Sequence, residues 1–153
     1  MEKKSLIILQ SDLNNHIDIT NQILSIISSQ ATSLGRFEII DNDPVKIFDC
    51  AHNISGFETL FQNLDYLYKD IHFDCYLGLK EGKKYEKILD FLSEIENISI
   101  KIIQDNSFYN QMNSKHLQSY LEERNINFEI SPIEKFHLSK QHSILIGSLY
   151  LIG

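Results

Sequence analysis

The sequence points to an α/β protein: a mainly parallel sheet with helices on both faces, opened by an antiparallel hairpin. Three features carry that expectation. Residues 36–40 and 45–48 are β-rich runs joined by Asp41-Asn42-Asp43-Pro44, a strong turn signal that suits a hairpin. After them, short apolar strands alternate with stretches of helical periodicity, the pattern of right-handed crossovers in a parallel sheet. Between the second run and the first such helix lies the polar turn Asp49-Cys50-Ala51-His52-Asn53, where open α/β folds place ligands.

The elements follow in order. Asp18 or Thr20 caps a helix with Ile19, Ile23, Leu24, Ile26 and Ile27 on one face, and residues 28–33 form a small, polar linker. The hairpin comes next. Phe57, Leu60, Phe61, Leu64 and Leu67 then recur at helical spacing, which predicts core packing. Residues 72–79 form a strand with Cys75 in its core. Residues 83–95 form a helix turned inward through Tyr85, Ile88, Leu89, Leu92 and Ile95. A strand over 98–103 precedes a helix over 110–124 that buries Met112, Leu117, Tyr120 and Leu121. A short strand over 128–130, a turn of helix over 132–136 and a buried strand over 143–151 complete the chain, with no internal repeat. Residues 1–34 read as a remnant or linker and residues 35–153 as the domain proper.

Composition narrows the function. A chain of 153 residues can bury a real core as one domain. A net charge of −7 with dispersed acidic residues argues against non-specific nucleic-acid binding, while leaving room for a local basic spot. Two cysteines, Cys50 and Cys75, show no metal-type spacing, and no signal peptide is evident. A reduced, cytoplasmic setting is therefore expected. No segment approaches the roughly 20 apolar residues that would span a bilayer, so no membrane contact is expected.

The turn holds most of the chemistry. Asp49 offers an acceptor, His52 a titratable imidazole and Asn53 an amide that can both donate and accept. Its plainer reading is a helix start, with Asn53 or Ser55 as N-cap and Cys50 as a small buried residue. Lys80, Lys83, Lys84 and Lys87 read first as a solvated helix start. His16, His72, His116, His137 and His142 are scattered without ligand spacing, so no metal site is proposed. There is no Gly-x-Ser-x-Gly elbow and no pair of carboxylates at glycosidase spacing.

Three signatures occur in order: Gly35-Arg36-Phe37-Glu38, then Asp49-Cys50-Ala51-His52-Asn53, then Gly147-Ser148-Leu149-Tyr150-Leu151-Ile152-Gly153. Together they resemble the C-terminal domain of folylpolyglutamate synthase/dihydrofolate synthase, in the Mur ligase superfamily. That family's pieces read PGRxE, DxAHNP and GSLYLxG. The closing GSLYLIG separates this resemblance from the cell-wall ligases, which share the first two motifs. An unrelated dinucleotide-binding fold is disfavoured, because the first strand-to-helix turn lacks the necessary glycines.

The resemblance implies a Rossmann-like Mur ligase C-terminal domain and a share in ATP-driven amide formation. In the family a substrate carboxylate attacks the γ-phosphorus, and the amine of glutamate displaces phosphate from the acyl phosphate. It implies that Arg36 reaches the nucleotide and that Asp49 contacts it or orders the cleft. His52 and Ser148 would hold glutamate, with Asn53 and Tyr150 as further candidates, and no catalytic residue is assigned. Substrates would be glutamate and a folate or pteroate.

Several positions depart from the family pattern. Leu34 and Ile54 replace prolines, Lys80-Glu81-Gly82-Lys83-Lys84 stands where the family often has Asp-Lys-Asp, and the usual arginine is not evident over 107–111. No Gly-x-x-x-x-Gly-Lys-Ser/Thr loop occurs, so ATP and Mg²⁺ would be held mainly by an absent N-terminal ATPase domain or a separate subunit. This chain is not expected to perform ligation alone. The alternative expectation is a non-catalytic binding or interaction module that keeps the ligase C-domain fold.

Overall fold

The computed structural model describes residues 35–79, 84–104 and 114–147. The elements are β1 (Glu38–Asn42), β2 (Val45–Asp49), α1 (Ile54–Leu67), β3 (Phe73–Gly78), α2 (Glu86–Ser93), β4 (Ile98–Ile103), α3 (Ser114–Glu123), β5 (Phe128–Ser131), α4 (Glu134–Leu138) and β6 (Ser143–Gly147). They form a six-stranded sheet in the order β1-β2-β6-β3-β4-β5, antiparallel only between β1 and β2. The expected fold class is the one observed.

The chain order explains how the helices are shared between the faces. From β2 the chain skips one position to β3 and then steps outward to β4 and β5, so α1, α2 and α3 cover one face. The return from β5 to the centre runs the opposite way, and a right-handed crossover then puts α4 on the other face. The larger core packs Ile47, Cys75, Leu77, Ile102, Ile144 and Ile146 beneath Phe57, Leu60, Phe61 and Leu64 of α1, Ile88, Leu89 and Leu92 of α2, and Leu117 and Leu121 of α3. Spacings of three and four residues bring those side chains onto single helix stripes. The smaller core is Phe48, Tyr76, Ile103 and Leu145 under Ile133 and Phe136.

Helices therefore lie on both faces, as expected, but very unequally. Where α4 does not reach, charged groups cover the sheet. Lys101 lies 2.7 Å from Glu129 and 3.8 Å from Asp74, and Lys135 of α4 reaches Glu129 at 3.5 Å. Lys46, buried on β2, donates from Nζ to the His137 carbonyl at 2.5 Å and so satisfies a carbonyl in the last turn of α4.

Several boundaries move. The first strand starts at Glu38 and runs to Asn42, because Asp41 and Asn42 pair with Lys46 and Val45 and are not part of the turn. The turn shrinks to Asp43-Pro44, with a cis peptide bond between them. All of β1 is exposed, since Phe37, just before it, is the residue that enters the core. Tyr120 is only partly buried and points its hydroxyl at Asp90 (2.8 Å), under Arg124, whose guanidinium lies 3.7 Å from the ring centroid. The helix α2 ends at Ser93, short of Ile95, which packs at the core margin. The expected helix before residue 28, Met112 and residues 148–151 lie outside the described residues. Among the described residues, no helix is long and apolar enough to cross a membrane.

Candidate functional site

The carboxyl end of the sheet gathers the chemistry. Asp49 ends β2, paired in parallel with Ile146 of β6, and Gly147 at the end of β6 stands beside Gly78 at the end of β3. Gly147 has φ 141°, a backbone conformation that favours glycine at the point where the central strand finishes.

The turn after β2 is fixed by its own polar groups. Asp49 is buried, and its two oxygens take different partners: Oδ2 accepts from the Phe37 N–H at 2.8 Å and Oδ1 from the Ala51 N–H at 2.7 Å. The Cys50 N–H donates to the Gly35 carbonyl at 2.6 Å. Two of these bonds clasp the 35–37 loop to the 49–51 turn, and the third, from Ala51 to Asp49, closes the turn on itself. Gly35 (φ 80°) and Phe37 (φ 46°) both adopt left-handed backbone, which for a non-glycine residue is uncommon and needs such anchoring. The Gly35 N–H in turn donates to Glu38 Oε2 at 3.3 Å.

Arg36 sits between these two anchored residues and is exposed. It joins none of the ion pairs among the described residues. The carboxylates of Glu38 and Asp49, in the same loop and in the facing turn, are bonded to backbone N–H groups. Its guanidinium lies beside the Cys50 thiol and acts on the Asp49 carboxylate through charge. Burial raises the Asp49 pKa above its ordinary value, opposed by the Phe37 and Ala51 N–H groups and the Arg36 charge. Burial also raises the Cys50 thiol pKa, helped by the Asp49 charge, which disfavours a nucleophilic thiolate there.

His52 is exposed, and its Nδ1 lies 3.0 Å from the Cys50 carbonyl. A carbonyl can only accept, so Nδ1 carries the proton and Nε2 is left for an external group. Asn53 is the N-cap of α1: its Oδ1 accepts from the Gly56 N–H at 2.9 Å. The structure therefore brings Arg36, Asp49, His52 and Asn53 to one edge, with Asp49 and Asn53 engaged internally. Ser148 and Tyr150 lie outside the described residues. The left-handed Phe37 and the Glu38 acceptor were not anticipated; a Gly followed three residues later by Glu was the available signal.

Two crevices of about 580 and 290 Å³ lie at the opposite, amino edge, lined by the starts of β3, β4 and β5. They are open, and neither includes any of the candidate side chains. We place the candidate site at the carboxyl edge because the exposed Arg36 and His52 side chains come together there. Among the described residues, no cluster of His, Cys, Asp and Glu could hold a metal ion.

In class, this is a doubly wound α/β domain that presents a guanidinium and an imidazole at its carboxyl edge. Its fold is that of the C-terminal domain of folylpolyglutamate synthase/dihydrofolate synthase, of the Mur ligase superfamily. The folylpolyglutamate synthase of Thermotoga maritima matches with a TM-score of 0.64 and 25% identity, over 78% of this chain and 29% of that one. The Mycobacterium tuberculosis enzyme, solved with ADP and AMPPCP, matches with a TM-score of 0.64 and 19% identity, over 78% and 30%. A bifunctional folylpolyglutamate synthase/dihydrofolate synthase with Mn, AMPPNP and L-glutamate bound matches with a TM-score of 0.56 and 17% identity, over 78% and 30%. The chain thus spans less than a third of each of these proteins. No protein-family model and no curated protein matches the sequence.

Proposed function

We propose that this chain is the nucleotide- and glutamate-contacting domain of an ATP-dependent folate–glutamate ligase. In this reading it works with an ATPase domain that supplies the P-loop and the Mg²⁺ site, and residues 1–34 are the remnant or linker at the junction with such a domain. The single observation that carries the reading is Arg36: an exposed guanidinium, without an ion pair among the described residues, held by an anchored loop at the ligand edge of this fold. Guanidinium geometry suits a phosphate, whose charge grows as the acyl phosphate forms and breaks.

His52 offers Nε2 to the incoming glutamate, with Ser148, Tyr150 and Asn53 as further candidate contacts to it. Asp49 orders the cleft. The related proteins solved with nucleotides and with L-glutamate support the pairing of these ligands.

Thermal unfolding with ADP, ATP and glutamate, separately and together, tests the reading. A ligand that binds the native state raises the apparent midpoint by mass action. We expect a nucleotide-dependent rise that Arg36→Ala removes. ATP turnover by this chain alone, or a nucleotide shift that survives Arg36→Ala, would contradict the proposal.

A further inference from the structure

We infer that the smaller crevice at the amino edge docks a protein partner that presents a basic side chain next to an apolar one. This is independent of the nucleotide reading, because Arg36 and His52 lie at the other edge of the sheet and outside this crevice. Chain direction comes first. A crossover helix runs back against the strands it joins, so α1 and α2 both end at the amino edge and bring the negative poles of their dipoles there. Helices commonly offset that pole with Lys or Arg in the last turn. Neither α1 nor α2 has a basic residue in its last turn. Instead α1 carries Asp65 there, and Glu94 is the C-cap of α2. Acidic side chains at helix C-termini cost stability, so the helices themselves give no reason for them.

Both residues line the crevice of about 290 Å³, together with Asp70 and Glu96. None of the four carboxylates joins an ion pair among the described residues. The floor between them is apolar: Tyr68, Ile71, Ile95 and Ile98 are only partly buried against the larger core. A Lys or Arg can lay its aliphatic stem on such a floor and turn its charge to the rim, while a neighbouring Leu or Phe fills the centre. A bare metal ion or a polyamine would leave the floor in water. The volume lies at the foot of the range for small-molecule pockets and suits side chains from a partner's surface.

The test uses the full chain, ¹⁵N-labelled and titrated with the amidated tetrapeptide Leu-Arg-Phe-Lys. Amide shifts should move over residues 65–71 and 94–98 and stay still at Arg36 and His52. Raising salt from ~50 to ~500 mM should weaken binding about tenfold, as for exposed charges that salt screens. Ser-Arg-Ser-Lys, with the same charge and no apolar side chain, should bind at least about tenfold more weakly. The double variant Glu94→Lys/Glu96→Lys should lose at least about tenfold in affinity for Leu-Arg-Phe-Lys while its thermal midpoint holds or rises, because a base suits the end of α2. Glu94→Gln/Glu96→Gln, which removes charge without reversing it, should change affinity in the same direction.

Shifts centred on the carboxyl edge, equal binding of the two peptides, or undiminished binding by both double variants would each overturn the inference. So would Mg²⁺ or spermidine moving the same amides as strongly as Leu-Arg-Phe-Lys, which would make the crevice a simple cation site. No shift with Leu-Arg-Phe-Lys at low salt overturns it as well.

Discussion

At the scale of single residues, Asp49 shows how one carboxylate can serve the fold and the site together. Its charge is costly to bury, and its raised pKa reports that cost. The sign of the consequence follows. Above the ordinary value of 3.8 the folded state holds this proton more tightly than the unfolded state does, so stability from this group falls as pH rises through its folded pKa. Asp49→Asn lacks that dependence. In urea titrations taken from about pH 7 down to about pH 4, the stability difference should move steadily in favour of the native protein. A constant difference would show that the carboxyl does not titrate differently in the two states. His52 carries a simpler lesson, since a single bond to the Cys50 carbonyl settles which ring nitrogen faces outward.

At the scale of elements, α1 and α4 are held by different means. The helix α1 has a four-residue apolar stripe and a side-chain cap at Asn53, so most of its stability comes from packing. Asn53→Ala should cost about 1 kcal/mol through the lost cap. The five-residue α4 has no cap of that kind and depends on fully buried Phe136 and on Lys46 at the His137 carbonyl. Phe136→Ala should cost about 3–5 kcal/mol, the range for emptying a core aromatic site. A chemical-denaturation series that ranked these two variants the other way would refute this account of what holds each helix.

At the scale of the whole molecule, the sheet order buries the central strand on both faces and leaves β1 at an edge with all five residues exposed. Cys75 in β3 is wholly buried, and its thiol pKa is pushed up to about 12, so it is neither accessible nor ionised in the native state. Labelling of Cys75 by a thiol reagent should therefore track global unfolding, whereas the half-buried Cys50 should react through local opening and faster. Equal rates at the two cysteines would mean that the sheet opens as readily as its edge.

Much of the fold was legible in local patterns: helical spacing at Phe57, Leu60, Phe61 and Leu64, apolar strands such as residues 143–147, and the turn that ends β2. Those patterns arise from which side chains must leave water, and neighbours along the chain report them directly. Of the site, the ordered motifs singled out Arg36, Asp49, His52 and Asn53. What only the tertiary structure decided is how they are used. That Asp49 bonds to Phe37, twelve residues away, and that Lys46 crosses to α4 depend on distances between segments remote in sequence, whereas the Asn53 cap, a bond to Gly56 three residues on, was among the expected helix starts. The partition of helices into three and one likewise came from β6 entering the centre of the sheet, a long-range pairing that no local periodicity encodes.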